Sequence, residues 1–180
     1  MANVDNPHGL AVIRRRGGGP LETQVMRKLV GFGTAIFKND VVMQKAGDAT
    51  YGAVVEPGLT TPGTTQPSGV ALHWDAASHA ADIWVFTDWD VVMEAQDNND
   101  TDGFTQANKG LNGNIECSAG NATTKLSGHE LDESTFNTAT RDVHLIDLFK
   151  DPNNAYGSWA RVEVVFCQHR MAPGALSVGV

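Results

Sequence analysis

The sequence predicts an all-β chain, a compact β-barrel or sandwich with little helix, and three observations carry that reading. First, 19 Gly and 7 Pro, with many Asn, Asp, Ser and Thr, cut the 180 residues into short pieces. No segment longer than about three turns sustains the i, i+3, i+4 apolar spacing of a helix. Second, Trp159 to Cys167 alternates: Ala160, Val162, Val164 and Phe166 fall on one side, Arg161, Glu163 and Val165 on the other. A period of two with one apolar face is a half-buried strand. Third, the β-rich runs come in pairs around turn-forming residues, as hairpins do. At 41% hydrophobic, a chain of this length buries roughly 70% of its unfolded surface, enough for one core without staples.

The elements follow in order. Residues 1–30 have few core-forming side chains and include Gly17-Gly18-Gly19-Pro20, so they predict an extended N-terminal arm. That leaves 31–180 as the β-rich globular domain. Asp40 to Met43 and Tyr51 to Val55 flank Lys45-Ala46-Gly47-Asp48 and predict a hairpin. The Pro-, Gly- and Thr-rich stretch 57–69 reads as a loop, with a break between two sub-lobes as the alternative. Ile83 to Phe86 and Val91 to Gln96, separated by Thr87-Asp88-Trp89-Asp90, predict a second hairpin. Thr105 to Lys109 is the one short helix, Thr capping its first turn and Gly110 ending it. Ser127 to Glu130 reads as a local turn. Thr138 to Phe149 is a strand with Val143 and Leu145 on one side and Ile146 and Leu148 on the other. Asp151-Pro152-Asn153-Asn154 then turns it into the Trp159 strand.

Composition excludes several function classes. Thirteen basic against twenty-one acidic residues give a net charge of -8 and a pI near 5.1, which argues against nucleic acid or an anionic membrane as partner. The charge is uneven. Residues 1–30 carry Arg14, Arg15, Arg16, Arg27 and Lys28 against Asp5 and Glu22, while 82–102 carries seven acids and no base. Cys117 and Cys167, fifty residues apart, indicate neither a disulfide framework nor a cysteine zinc site. Residues 1–10 lack a basic-then-apolar leader, and no run approaches the ~20 apolar residues that span a bilayer.

Asn98, Asp100 and Asp102 alternate before Gly103 like the first half of a calcium loop, but Lys109 stands where a bidentate Glu is needed, so a structural loop is the plainer reading. His73, Asp75 and His79 share parity and could ligate zinc if extended, yet Trp74 to Ser78 is a poor strand. No GxSxG or catalytic Cys pattern occurs, and Ser127, His129 and Glu130 are sequence neighbours, whereas triads assemble from distant positions. The Gly17–Gly19 run lacks the spacing of a phosphate cradle. Asn99-Asp100-Thr101 and Asn121-Ala122-Thr123 fit the glycosylation pattern, without meaning in the absence of a leader. Trp74, Trp84, Trp89 and Trp159 could stack sugars, though aromatic residues on strands more often fill cores or subunit contacts.

Three segments together carry a resemblance. Asn6-Pro7-His8-Gly9-Leu10 with Val12, Arg14 and Gly18-Gly19-Pro20, the run Ile83 to Gln96, and the C-terminal third ending in Trp159 to Phe166 are similar to the capsid decoration, or cement, proteins of tailed bacteriophages. The resemblance implies a non-catalytic virion protein. It would be made in the host bacterial cytoplasm, bind the capsid exterior and brace contacts between major capsid protein subunits. It implies self-association, a trimer in preference to a dimer, and no cofactor or metal. On that reading Arg14, Arg15 and Arg16 of the arm grip the shell, guanidinium to carboxylate. The alternative is a carbohydrate-binding or host-attachment module on the virion surface, for which exposed tryptophans around one groove would be the mark.

Overall fold

Alternating apolar and polar residues set both sheets of this protein. The computed structural model describes residues 3–28, 34–48, 52–57, 66–100 and 103–170. The strands are β1 (Ala11–Arg15), β2 (Thr23–Lys28), β3 (Val41–Asp48), β4 (Gly52–Pro57), β5 (Gly69–Ala71), β6 (Ala81–Phe86), β7 (Val91–Gln96), β8 (Asn112–Ser118), β9 (Gly128–Asn137), β10 (Val143–Leu148) and β11 (Arg161–Phe166). One 3-10 turn, Gln106–Asn108, stands where the short helix is expected, with Thr105 at its N-cap. The all-β prediction therefore holds.

The strands form two sheets. One is six-stranded and antiparallel, in the order β1-β7-β11-β10-β8-β9; the other closes on itself as β2-β4-β3-β5-β6. Within the first, Val162, Val164, Leu145, Met93 and Ile115 are fully buried in one apolar cluster, which Val41 of β3 and Val70 of β5 join from the barrel. The predicted C-terminal hairpin is present: β10 pairs antiparallel with β11, and its register slips between Leu145 and Asp147. Arg161 and Glu163 stay partly exposed as the alternation requires; Val165 is buried as well. β3 and β4 also pair antiparallel, but the expected turn Lys45–Asp48 belongs to β3 itself, Lys45 pairing with Val54 and Asp48 with Gly52. Residues 58–65 lie outside the described residues, and the strands on either side of that stretch, β4 and β5, both pair with β3.

Three expectations are corrected. The runs 83–86 and 91–96 are strands but not a hairpin: β6 pairs with β2 and β5 in the barrel, β7 with β1 and β11 in the sheet. Thr87–Asp90 therefore carries the chain from one sheet to the other. The extended arm over 1–30 is not what the structure holds there. β1 pairs along β7 and β2 along β6, and Leu10 is fully buried. Gly9, at a φ of +75°, passes so close that a Cβ would collide with Asn39 O and the Ser127 side chain. Finally, Gly128–Glu130 opens the ten-residue β9 instead of forming a local turn.

Candidate functional site

The first concave site is built by the N-terminal residues lying over the exits of β7 and of the Trp159 loop. Asn3 Nδ2 donates to the carbonyls of Ala155 (2.8 Å) and Ser158 (2.9 Å). The Asn6 amide donates to Gln96 Oε1 (2.8 Å), and Gln96 Nε2 donates to Val4 O (2.8 Å) and Trp159 O (3.1 Å). Gln96 is buried, so its amide serves as a clamp between three chain segments, every polar atom satisfied. The result is a cleft of about 610 Å³ lined by Asn3, Asp5, Asn6, Glu94, Trp159 and Arg161, among others. Arg161 spans it, donating to Glu94 Oε1 (3.1 Å) and Asp151 Oδ2 (2.6 Å). Amides, carboxylates, a guanidinium and one indole are groups that hydrogen-bond and stack a polyhydroxylated ligand.

Two of the three arginines expected to grip a shell are engaged within the chain. Arg14 Nη2 lies 2.7 Å from Glu163 Oε2. Arg15 lies 3.0 Å from Asp90 and 3.7 Å from both Asp88 and Glu22. Arg16 is exposed, and among the described residues no ion pair involves its side chain. The reason is tertiary: β1 runs antiparallel to β7, which places these side chains beside the acids of the Thr87–Asp90 crossover and of β11.

His73, Asp75 and His79 do not assemble a metal site. Asp75 Oδ2 accepts from Lys28 Nζ at 2.9 Å, and its Oδ1 lies 2.7 Å from His79 Nδ1. Lys28 is fully buried and also donates to Ala76 O. Although burial works to raise it, those two partners hold the Asp75 carboxyl below its ordinary pKa. Cys117 and Cys167 form no disulfide among the described residues; burial pushes the Cys167 thiol up to about 11, away from nucleophilic use.

The tryptophans are scattered. Trp74 is stacked under Lys125 Nζ at 3.8 Å from the ring centroid, Trp89 sits in the crossover, and Trp159 alone of the four lines the cleft. Trp84 belongs to a surface the sequence did not flag. On the outer face of β2–β6, Val25 stands directly opposite Trp84, with Thr23 opposite Phe86 and Arg27 opposite Asp82. Val25 is 47% and Trp84 50% exposed. Their outward parity is readable once β2 is known to pair with β6; without that register nothing distinguishes them from core residues. Among the described residues no helix is long and apolar enough to cross a membrane. No family model matches this chain, and no curated protein matches it.

Proposed function

We propose that this chain is a structural protein of a tailed-phage virion that binds the capsid exterior and stabilises contacts between major capsid protein subunits, acting without catalysis and as a homo-oligomer. The observation that carries the reading beyond the sequence resemblance is the outer face of the barrel. Val25 and Trp84 form an exposed cross-strand apolar pair, and the Arg27–Asp82 ion pair at 2.8 Å borders it. Exposed aromatic residues with charged neighbours are the composition of a protein-binding surface. Arg16 supplies the cation left open on the N-terminal segment, since Arg14 and Arg15 already have carboxylate partners. The contact with the shell therefore moves from Arg14–Arg16 as a set toward Arg16 and the β2–β6 face.

Purified chain added to expanded phage heads that lack it should co-sediment with them, in a ratio set by the lattice, and native mass should show the oligomer. Heads that pellet without the chain at micromolar protein would discard the proposal.

A carbohydrate-binding or host-attachment role is the second reading, and the cleft at Trp159 favours it. One indole beside Asn3, Asp5, Asn6 and Arg161 suits a single sugar ring better than a groove with several stacking platforms. Titration with host surface glycans, read by tryptophan fluorescence in the parent and in Trp159→Ala, separates it from shell binding.

A further inference from the structure

Where β7 ends, the six-stranded sheet curls back on itself. Asp97 bridges in parallel to Leu131 of β9, and the Asn98 amide donates to Leu131 O at 3.0 Å. The next turn of chain is thereby laid against β9, far from β7 in strand order. At the same point β9 is irregular. Asn114 of β8 faces Asp132, but Asn112 faces Asn137, so extra residues of β9 leave the ladder after Asp132. Bulges of this kind re-aim side chains. The Thr135 hydroxyl holds the excursion in place, donating to Asp132 O (2.7 Å) and accepting from the Asn114 amide (2.8 Å).

The consequence is a convergence of oxygens. One carboxylate oxygen each of Asp100, Asp132 and Glu133 lie within 4.8 Å of one another. An acidic cluster on a surface means little alone, but a fourth carboxylate stands behind it. Asp97 is fully buried, and no hydrogen bond of proper geometry reaches either of its oxygens. Asp97 lies against the Glu133 carboxylate, near the amides of Asn99 and Trp159, and among the described residues no ion pair supplies it with a cation. Two neutral oxygens share the neighbourhood, the buried and unpartnered Oδ1 atoms of Asn99 and of Asn114, the cross-strand neighbour of Asp132. Among the described residues no lysine, arginine or histidine pairs with Asp97, Asp100 or Asp132. A buried carboxylate without a partner costs several kcal/mol unless something positive completes it.

We propose that Asp100, Asp132 and Glu133, with the buried carboxylate of Asp97 behind Glu133, form a binding site for Ca²⁺ at the seam where β7 meets β9. All the donors are hard oxygens, with no imidazole or thiolate among them, which selects Ca²⁺ or Mg²⁺ over zinc. Ca²⁺ takes six to eight oxygens at roughly 2.3–2.6 Å in an adaptable geometry, carboxylates foremost among them. Mg²⁺ demands a near-ideal octahedron at roughly 2.0–2.1 Å and keeps several waters, which suits an all-carboxylate site less well. The site differs in plan from the single-loop pattern suggested by Asn98 and Asp100. The ligands missing downstream of that loop come from β9, more than thirty residues further along the chain. Nothing in this inference depends on the capsid reading.

The test is calorimetric titration of EDTA-stripped full-length protein with CaCl₂, and separately with MgCl₂, followed by thermal melts. The expected results are one Ca²⁺ per chain, binding at least tenfold tighter than Mg²⁺, and a Tm raised by about 5 °C at a hundredfold excess over Kd. Asp132→Asn and the exposed Asp100→Asn should weaken Ca²⁺ binding at least tenfold while remaining folded by circular dichroism, even if the buried Asp97→Asn does not fold. Asp82→Asn, on the barrel, should bind as the parent does. No saturable heat with millimolar CaCl₂, equal or tighter binding of Mg²⁺, or unchanged affinity in both Asp100→Asn and Asp132→Asn would each overturn the proposal.

Discussion

The six-stranded sheet and the closed barrel are made from strands of similar length, yet they solve burial in opposite ways. The sheet encloses a large cluster of Val, Leu, Ile and Phe with Phe104 and Phe136 edge to face at 4.8 Å between centroids. The barrel's own cluster is Met26, Ile36, Val42, Ala71, Ile83 and Val85, and beside it Lys28 is buried with Asp75 as counter-ion. Outside, the barrel shows Val25 and Trp84 to solvent. Charge inside and apolar surface outside is the reverse of the usual economy of a small domain. The larger core thus lies with the sheet, joined by Val41 and Val70 of the barrel strands, whereas the barrel leaves Val25 and Trp84 outside any core. The difference teaches where to look for stability and where to look for a partner.

The comparison breaks first if the sheet does not dominate stability. Val164→Asp places an unpaired charge in the middle of the main cluster, where Val164 has no exposed surface, and should cost at least about 4 kcal/mol in urea unfolding. A variant melting within about two degrees of the parent would show that the sheet's interior is not where it is placed here. The barrel should respond to a different lesion. Lys28→Met leaves Asp75 buried with His79 as its remaining ion-pair partner, and should cost about 3 kcal/mol. Asp75→Leu added to it should restore much of that loss, because removing both charges removes the desolvation cost. Were the double variant as unstable as Lys28→Met alone, the ion pair would not be the barrel's weak point.

How much of this was legible follows from which forces are local. Alternation over Ala160 to Phe166 located β11 and its buried face, because every residue on that face meets one core and strand parity alone assigns it. The Thr105 cap was legible because turn chemistry acts within a few residues, whereas Lys45–Asp48, turn-like in composition, extends β3. Strand partners were not. Thr87–Asp90 has the composition of a hairpin turn, and only the pairing of β6 with β2 and of β7 with β1 and β11 shows that it links two sheets. β1 reads as an arm because Arg14 and Arg15 look solvated until Glu163 and Asp90, distant in sequence, supply their partners. β9 was missed because Gly128–Asn137 is polar and bulged, so its period of two is interrupted at the acidic residues. Of the acidic seam only Asp100 was visible, within the alternation of Asn98, Asp100 and Asp102; the β9 carboxylates could not be, since no spacing rule links residues brought together by a sheet curling on itself.

A smaller effect is expected at the junction between the two regions. His129 on β9 is buried, and its Nδ1 accepts from the Val41 amide of β3 at 3.1 Å. A ring nitrogen that accepts carries no proton, so the imidazole is neutral, and burial depresses its pKa to about 4. A histidine with a depressed folded pKa stabilises fully above its unfolded value near 6.5 and loses that contribution as pH falls from there toward 4. The loss amounts to roughly 3 kcal/mol by linkage. Asp40, with Oδ1 3.5 Å from His129 Nε2, works in the opposite sense: burial raises its pKa to about 6, against the Phe37 amide and the Ser127 hydroxyl. The parent's own profile is therefore flattened, and the informative quantity is a difference. His129→Asn keeps an acceptor for the Val41 amide and cannot titrate, so urea unfolding at pH 7 and pH 4 should show the variant gaining roughly 3 kcal/mol on the parent at the acid end. Parallel profiles would mean that His129 is already charged in the fold.

The smallest change in stability should come from the barrel's outer face, and that is what would make it informative. Trp84 is half exposed and stands opposite Val25 across the strand, so Trp84→Ser removes a cross-strand contact of under about 1 kcal/mol and leaves the apolar interior at Ile83 and Val85 untouched. The same residue should matter far more to association, because aromatic side chains at the centre of an interface contribute about 2 kcal/mol or more to binding. Trp84→Ser should therefore melt within a few degrees of the parent and yet bind phage heads at least tenfold more weakly, whereas Arg16→Ser should change the salt dependence of binding more than its strength at low salt. If Trp84→Ser is destabilised as much as Lys28→Met, the tryptophan belongs to the barrel's structure and the exposed pair is packing. If both stability and head binding are unchanged, the contact surface lies elsewhere, and the contrast between a self-sufficient sheet and a partner-seeking barrel fails on its second half.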